Sequence, residues 1–301
     1  MISFLNAASQ SFLYSLQQSQ SRASQAQLQV SSGNHLNQVA DDPTQVPNLF
    51  ALQSAMSRND QIAQNMTQVK AEVDTGESAL ESAVTQVERA QTLGAQGASS
   101  LTDAGTRQTL AGELSDILQT LVSISNTAVG GRYIFSGDSD QTAAYSLDLT
   151  QANPVSVYQG SASTRQVQHP DGSLFSVAQT AQQIFDSPNA PDNVFASITA
   201  LRTALLNNDT AGINTALPVV QSAGTYLNSQ LAFYGHAQNR VADAVNYGAN
   251  LKVQLQTQLS GIQGADMSQS ILEMTQASTQ EQAALESWSK LPRTSLFDFL
   301  G

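Results

Sequence analysis

The sequence predicts a mainly α protein: a long antiparallel helical rod and coiled coil built from both chain ends, with a small β-rich inserted outer domain. Two observations predict the rod. Apolar residues recur at alternating three- and four-residue spacing near both ends, as in a coiled-coil seam. Helical periodicity also fills two long stretches between them. A third observation predicts the insert, because between Gly131 and Pro191 the pattern changes to aromatic and β-branched runs bounded by glycine and proline.

The first helix carries the stripe Ile2, Leu5, Ser9, Phe12, Leu16, Ser19, Ala23, Ala26 and Val30, and Gly33-Asn34 supplies a left-handed C-terminal stop. Asp41-Asp42-Pro43 is expected to cap a second helix, with the proline in its first turn. That helix runs from Leu49 to Gly94 on Leu52, Met56, Ile62, Met66, Val69, Val73, Leu80, Val84 and Val87. A turn over residues 96–105 leads to an antiparallel partner on Leu110, Leu114, Ile117, Leu121, Ile124 and Ala128. Arg132 to Gly137 and Val155 to Tyr158 are candidate strands, and Val167 to Val177 reads as a hairpin turning at Asp171-Gly172. Helical spacing resumes at Val194, Ile198, Leu201 and Leu205. A long helix from about Thr210 to Ile262 follows, with Pro218 near its start or kinking it. Asp266 can cap a last helix bearing Met267, Ile271, Met274, Leu285 and Trp288, which Pro292 must end. The tail adds Leu296, Phe297, Phe299 and Leu300, an apolar end that a monomer would leave exposed.

Composition narrows the function. Twenty-four acidic against 12 basic side chains give a net charge of −12, and the basic ones are scattered singly. Nucleic acid, which requires a basic stripe, is excluded as a partner. Only 12% of residues are charged, so Gln, Ser, Asn and Thr supply most of the polar surface. No run approaches the roughly 18 apolar residues of a membrane span, and residues 1–21 lack the basic and apolar regions of a Sec-type signal. The chain is therefore expected in the cytosol, or exported by a route that hydropathy does not reveal. With no cysteine there is no thiolate chemistry. His35, His169 and His236 stand far apart, and no metal, nucleophile-elbow or phosphate-loop spacing occurs. No enzymatic site or cofactor is expected.

The two terminal stripes are the candidate functional surface. A lone helix of some 30 residues cannot recover the roughly 1–2 kcal/mol per residue lost on ordering it. The ends should order by packing together among several subunits. The candidate assembly residues are Ile2, Leu5, Phe12, Leu16, Ala23 and Val30 at one end, and Met267, Ile271, Met274, Leu285, Trp288, Leu296, Phe297, Phe299 and Leu300 at the other.

Particular segments carry a resemblance. Val30 to Leu36 with Asp41-Asp42-Pro43 resembles the Ile-Ser-Thr-Gly-Lys-Arg-Ile and Asp-Asp-Pro signature of the bacterial flagellins, although Asn34-His35 replaces the basic pair. Gly131 to Gly137, after Asn126, is similar to that family's Asn-Gly-Arg-Tyr-Leu-Phe-Ser-Gly. Tyr158-Gln159-Gly160 and Asn193-Val194-Phe195 match the hook-filament junction members better than the filament members. Gly235 to Val241 and Leu291 to Leu300 resemble the family's C-terminal segments.

The resemblance implies a non-enzymatic structural subunit in a homo-oligomeric ring joining hook to filament. It would contact an adjacent junction protein and flagellin, be exported by flagellar type III secretion, and be escorted by an export chaperone. It also implies nested layers: a terminal coiled-coil domain (1–45 and 263–301), a helical rod domain (46–136 and 193–262) and an outer domain (137–192). A filament flagellin and, more distantly, a type III secreted coiled-coil effector are the alternatives.

Overall fold

The computed structural model describes the backbone of residues 2–290 and the side chains of residues 9–290. Seven α-helices dominate these residues: α1 (Ile2–Ser32), α2 (Val46–Ala98), α3 (Ala104–Ser125), α4 (Ala181–Phe185), α5 (Val194–Leu206), α6 (Thr210–Gln263) and α7 (Met267–Ser289). Two antiparallel ribbons, β1 (Ala128–Val129) with β2 (Arg132–Tyr133) and β3 (Gln166–Gln168) with β4 (Leu174–Ser176), lie between α3 and α4. The chain forms two compact units, residues 1–58 with 251–301 and residues 59–250.

Local chemistry explains most helix boundaries. Asp103 accepts from the Thr106 amide at the start of α3, Asn193 from Ala196 before α5, and Asp266 from Ser268 and Gln269 before α7. Thr180 and Gln183 exchange the two bonds of a capping box around α4. At its end, α1 turns through Gly33 at φ +70°, a left-handed conformation open to glycine.

The expected cap at Asp41-Asp42-Pro43 is corrected. Helix α2 starts only at Val46. Asp41 instead accepts from the Asn37 and Gln38 amides, and Asp42 from the amide and hydroxyl of Thr44, so both carboxylates stabilise turns of the preceding loop. Pro47 occupies the first turn of α2, where a missing N–H leaves no helical bond unmade.

In the unit of residues 59–250 the apolar stripes meet in one core. Leu80, Leu114, Leu118, Leu121, Ile184, Ile198 and Leu201 are fully buried, together with Phe135, Tyr145, Phe185 and Tyr234. Helix α3 packs on α5. Gly94 and Gly97 of α2 face Leu201 and Leu205, and a Cβ at either position would collide with those leucines. The turn ending α2 is tied down by the buried Arg107. Its guanidinium donates to the carbonyls of Gly97 (2.8 Å) and Ser99 (3.1 Å) and to Asn208 Oδ1 (2.5 Å).

The inserted segment uses less strand than its aromatic runs suggest. Arg132–Tyr133 pairs for only two residues, and Val155 makes an isolated bridge to Leu147. The Asp171-Gly172 turn forms as read, with Gly172 at φ +96° between β3 and β4.

Candidate functional site

In the unit of residues 1–58 and 251–301, α1 and α7 pack side by side. Their contacts run in opposite directions along the chain. Phe12 stacks on Trp288 with ring centroids 4.3 Å apart, Gln20 Nε2 donates to Glu281 Oε1 (3.0 Å), and Ser270 Oγ donates to Gln29 Oε1 (3.1 Å). An antiparallel bridge joins Asn34 to Gly264, where the His35 amide donates to the Gln263 carbonyl and the Ala265 amide to the Gly33 carbonyl. The two helices therefore form an antiparallel pair closed at one end by main-chain bonds.

On α1 the stripe turned inward follows the sequence reading. Phe12, Leu16, Ser19, Ala23 and Val30 are half-buried and Ala26 is fully buried. On α7 the inward positions are Ser270, Met274, Ala277, Glu281, Ala284 and Trp288, again spaced by four and three. Met274 and Trp288 lie on that seam. Met267, Ile271 and Leu285 lie on a neighbouring stripe and are exposed, as are Leu272 on α7 and Leu13, Tyr14 and Leu28 on α1. The side chains of Ile2 and Leu5, and the whole of Leu296, Phe297, Phe299 and Leu300, lie outside the described residues.

The seam is short of apolar bulk. Serine, alanine and one glutamate occupy four of its six positions on α7, and small residues bury little area at roughly 25 cal/mol per Å². Its bulk is concentrated in the Phe12–Trp288 stack, Leu16 and Met274, while several large apolar side chains stay outside it. Among the described residues no group of His, Asp and Glu could hold a metal ion, and no helix is long and apolar enough to cross a membrane.

The bacterial flagellin N-terminal helical region matches residues 4–140, and the bacterial flagellin C-terminal helical region matches residues 217–300. The chain belongs to the bacterial flagellin family. Flagellar hook-associated protein 3 of Escherichia coli (strain K12) is 25% identical over 292 residues, covering 89% of this chain and 90% of that protein. Two crystal structures from Legionella pneumophila share the fold. Flagellar hook associated protein-3 has a TM-score of 0.63 at 14% identity, covering 70% of this chain and 98% of that one. The flagellar junction protein FlgL has a TM-score of 0.55 at 15% identity, covering 65% and 99%.

The flagellin-family segments now have a physical account. Residues 30–36 contain the C-terminal stop of α1 and the main-chain bridge to Gly264. Around residues 131–137, Gly130 and Gly131 take the positive φ that a tight hairpin needs, Arg132 pairs with Asp140 (2.6 Å), and Phe135 is buried edge-on to Phe185 and Tyr234. Gly137, at φ +62°, packs directly on the Ser161 carbonyl. The Tyr158 hydroxyl lies within hydrogen-bonding distance of both the Phe135 and Ser161 carbonyls (3.2 and 3.0 Å), and burial pushes its pKa up to about 12. In this flagellin-family chain, Gln29, Ser270 and Arg107 are structural residues that periodicity did not single out. Polar residues at seam positions read as interruptions until their partners are known.

Proposed function

We propose that this chain is a structural subunit of the bacterial flagellum at the junction between hook and filament. One observation carries the reading: the likeness to a flagellar hook-associated protein 3 runs over 292 residues and nine-tenths of both chains, not over the family's helical regions alone. The unit built from both ends supports it physically. Its internal seam is made largely of small and polar side chains, while Leu13, Tyr14, Leu28, Met267, Ile271 and Leu285 remain exposed. Apolar stripes left open on a helix pair suit burial against further copies of the same pair.

On this reading the α1–α7 pair forms the inner layer of a homo-oligomeric ring, residues 46–136 and 193–262 surround it, and residues 137–192 face outward. The ring meets an adjacent junction protein on one side and flagellin on the other. The chain reaches that place through the flagellar type III apparatus with an export chaperone, and its role is mechanical and not enzymatic.

The test is a deletion strain. Loss of the gene should leave hooks assembled, abolish swimming and release flagellin monomers into the medium, and expression in trans should restore filaments. Filaments of normal length on the deletion strain would overturn the reading. If the purified chain instead grew long polymers on filament seeds, it would be a filament subunit.

A further inference from the structure

One part of the α1–α7 seam is polar where a coiled coil is normally apolar. Ser270 is 2% exposed and Gln29 is 9% exposed, and they hydrogen-bond across the seam at 3.1 Å. Their surroundings offer few substitutes: the next fully buried positions are Ala26, 1% exposed, and Ala277, 3% exposed, neither with a polar side chain. The fully buried apolar side chains near this pair are alanines, so the large apolar contact that a slip would break is the Phe12–Trp288 stack at the far end of the seam. A slip of one heptad in one direction would bring Gln29 opposite the methyl group of Ala277 and strand its amide, and the Ser270 hydroxyl would lose its acceptor.

We propose that the Gln29–Ser270 pair is the register-determining element of the terminal helix pair, allowing only the alignment in which Phe12 meets Trp288. A buried polar pair costs stability relative to an apolar one but penalises every alignment that leaves it unsatisfied. The nearby bridge between Asn34 and Gly264 marks the same alignment through main-chain atoms, which any sequence could supply. The side-chain pair makes the alignment sequence-specific. The inference rests on the helix pair itself and not on the junction role, so either can fail alone.

The absence of native cysteine allows a direct test on the full-length chain. One cysteine pair, Gln20→Cys with Glu281→Cys, reports the native alignment. A second, Ala23→Cys with Ala284→Cys, reports an alignment slipped by one heptad and leaves Phe12 and Trp288 in place. Oxidation is carried out in sodium sulfate, which favours burial, and intramolecular disulfide is quantified by gel mobility and peptide mass. The parent is expected to favour the native cross-link at least tenfold. Gln29→Leu with Ser270→Ala should keep its helicity while that preference falls about tenfold, the loss set by an unsatisfied buried group. Exchanging the partners, Gln29→Ser with Ser270→Gln, should restore it to within about twofold of the parent. Unchanged preference in the apolar variant, failure of the exchange to restore it, or no native cross-link in the parent would each overturn the proposal. If the apolar variant does not fold, the exchange variant decides alone.

Discussion

Gly76 shows how narrowly single positions are set. It lies in α2 against the buried ring of Tyr234, and a Cβ would stand 2.6 Å from Tyr234 Cε1. The ring is buried and packed edge-on against Phe135 and Phe233, so moving it disturbs those contacts. Gly76→Ala should therefore destabilise the protein by about 1–3 kcal/mol despite its better helix propensity, read as a lower denaturant midpoint. A midpoint equal to the parent's would show that the ring relaxes. The tyrosines also fix the alkaline limit. Burial raises the phenol pKa of Tyr145, Tyr158 and Tyr234 above the ordinary value of 10.0, that of Tyr158 to about 12. Each is held neutral in the fold while the unfolded chain ionises, so the stabilisation is complete below pH 10 and lost as pH rises towards 12. Thermal midpoints should fall across that window, and less steeply in Tyr158→Phe. At this scale the cap at Asp266 was legible, because the capping residue stands beside the helix it starts. Arg107 was not, since its acceptors Gly97, Ser99 and Asn208 come from separate segments and two of them are main-chain carbonyls.

Among the elements, the α1 seam from Phe12 to Ala26 was legible but its buried Gln29 was not, and α7 was legible only in part. Helix α7 carries two overlapping stripes one residue apart. The bulkier one, Met267, Ile271 and Leu285, attracts a reading based on hydrophobicity, whereas the stripe facing α1 is built from Ser270, Met274, Ala277, Glu281, Ala284 and Trp288. Small residues let two helices approach closely, and Met267, Ile271 and Leu285 beside them stay exposed. The two stripes should consequently respond differently to the same substitution. Ala277→Asp places an unpaired carboxylate in the closed seam, at several kcal/mol, and should separate the helices. Ile271→Asp should leave the pair intact and block assembly. Trp288 is the single tryptophan and stacks on Phe12, so its emission reports pairing: shifted to the red in Ala277→Asp and unchanged in Ile271→Asp. Red-shifted emission in Ile271→Asp would place that residue in the internal seam. Normal swimming with Ile271→Asp would remove the exposed stripe from assembly.

For the whole molecule, the joining of both chain ends in one unit was legible, because each end carries a heptad-like stripe and the family resemblance implies that the two ends pair. The division at residues 58/59 and 250/251 was not legible, because it falls inside α2 and α6, where no proline or glycine cluster marks a change. Charge is also unevenly placed. Arg22 is the only charged side chain in residues 1–40, and most of the acidic excess lies in residues 59–250. The contacts described above across the α1–α7 pair are a ring stack and hydrogen bonds from amide or hydroxyl donors, with no Lys or Arg among them. Screening should therefore not loosen that pair, while it weakens the mutual repulsion of subunits that each carry −12. Raising sodium chloride from about 0.05 to about 1 M, which shortens the screening length several-fold, should leave the thermal transition of Trp288 emission unshifted or move it upward. Over the same range, sedimentation should show subunit association becoming stronger. A downward shift of the Trp288 transition would mean that ion pairs hold the terminal helices together, and weaker association would mean that charge attraction joins the subunits.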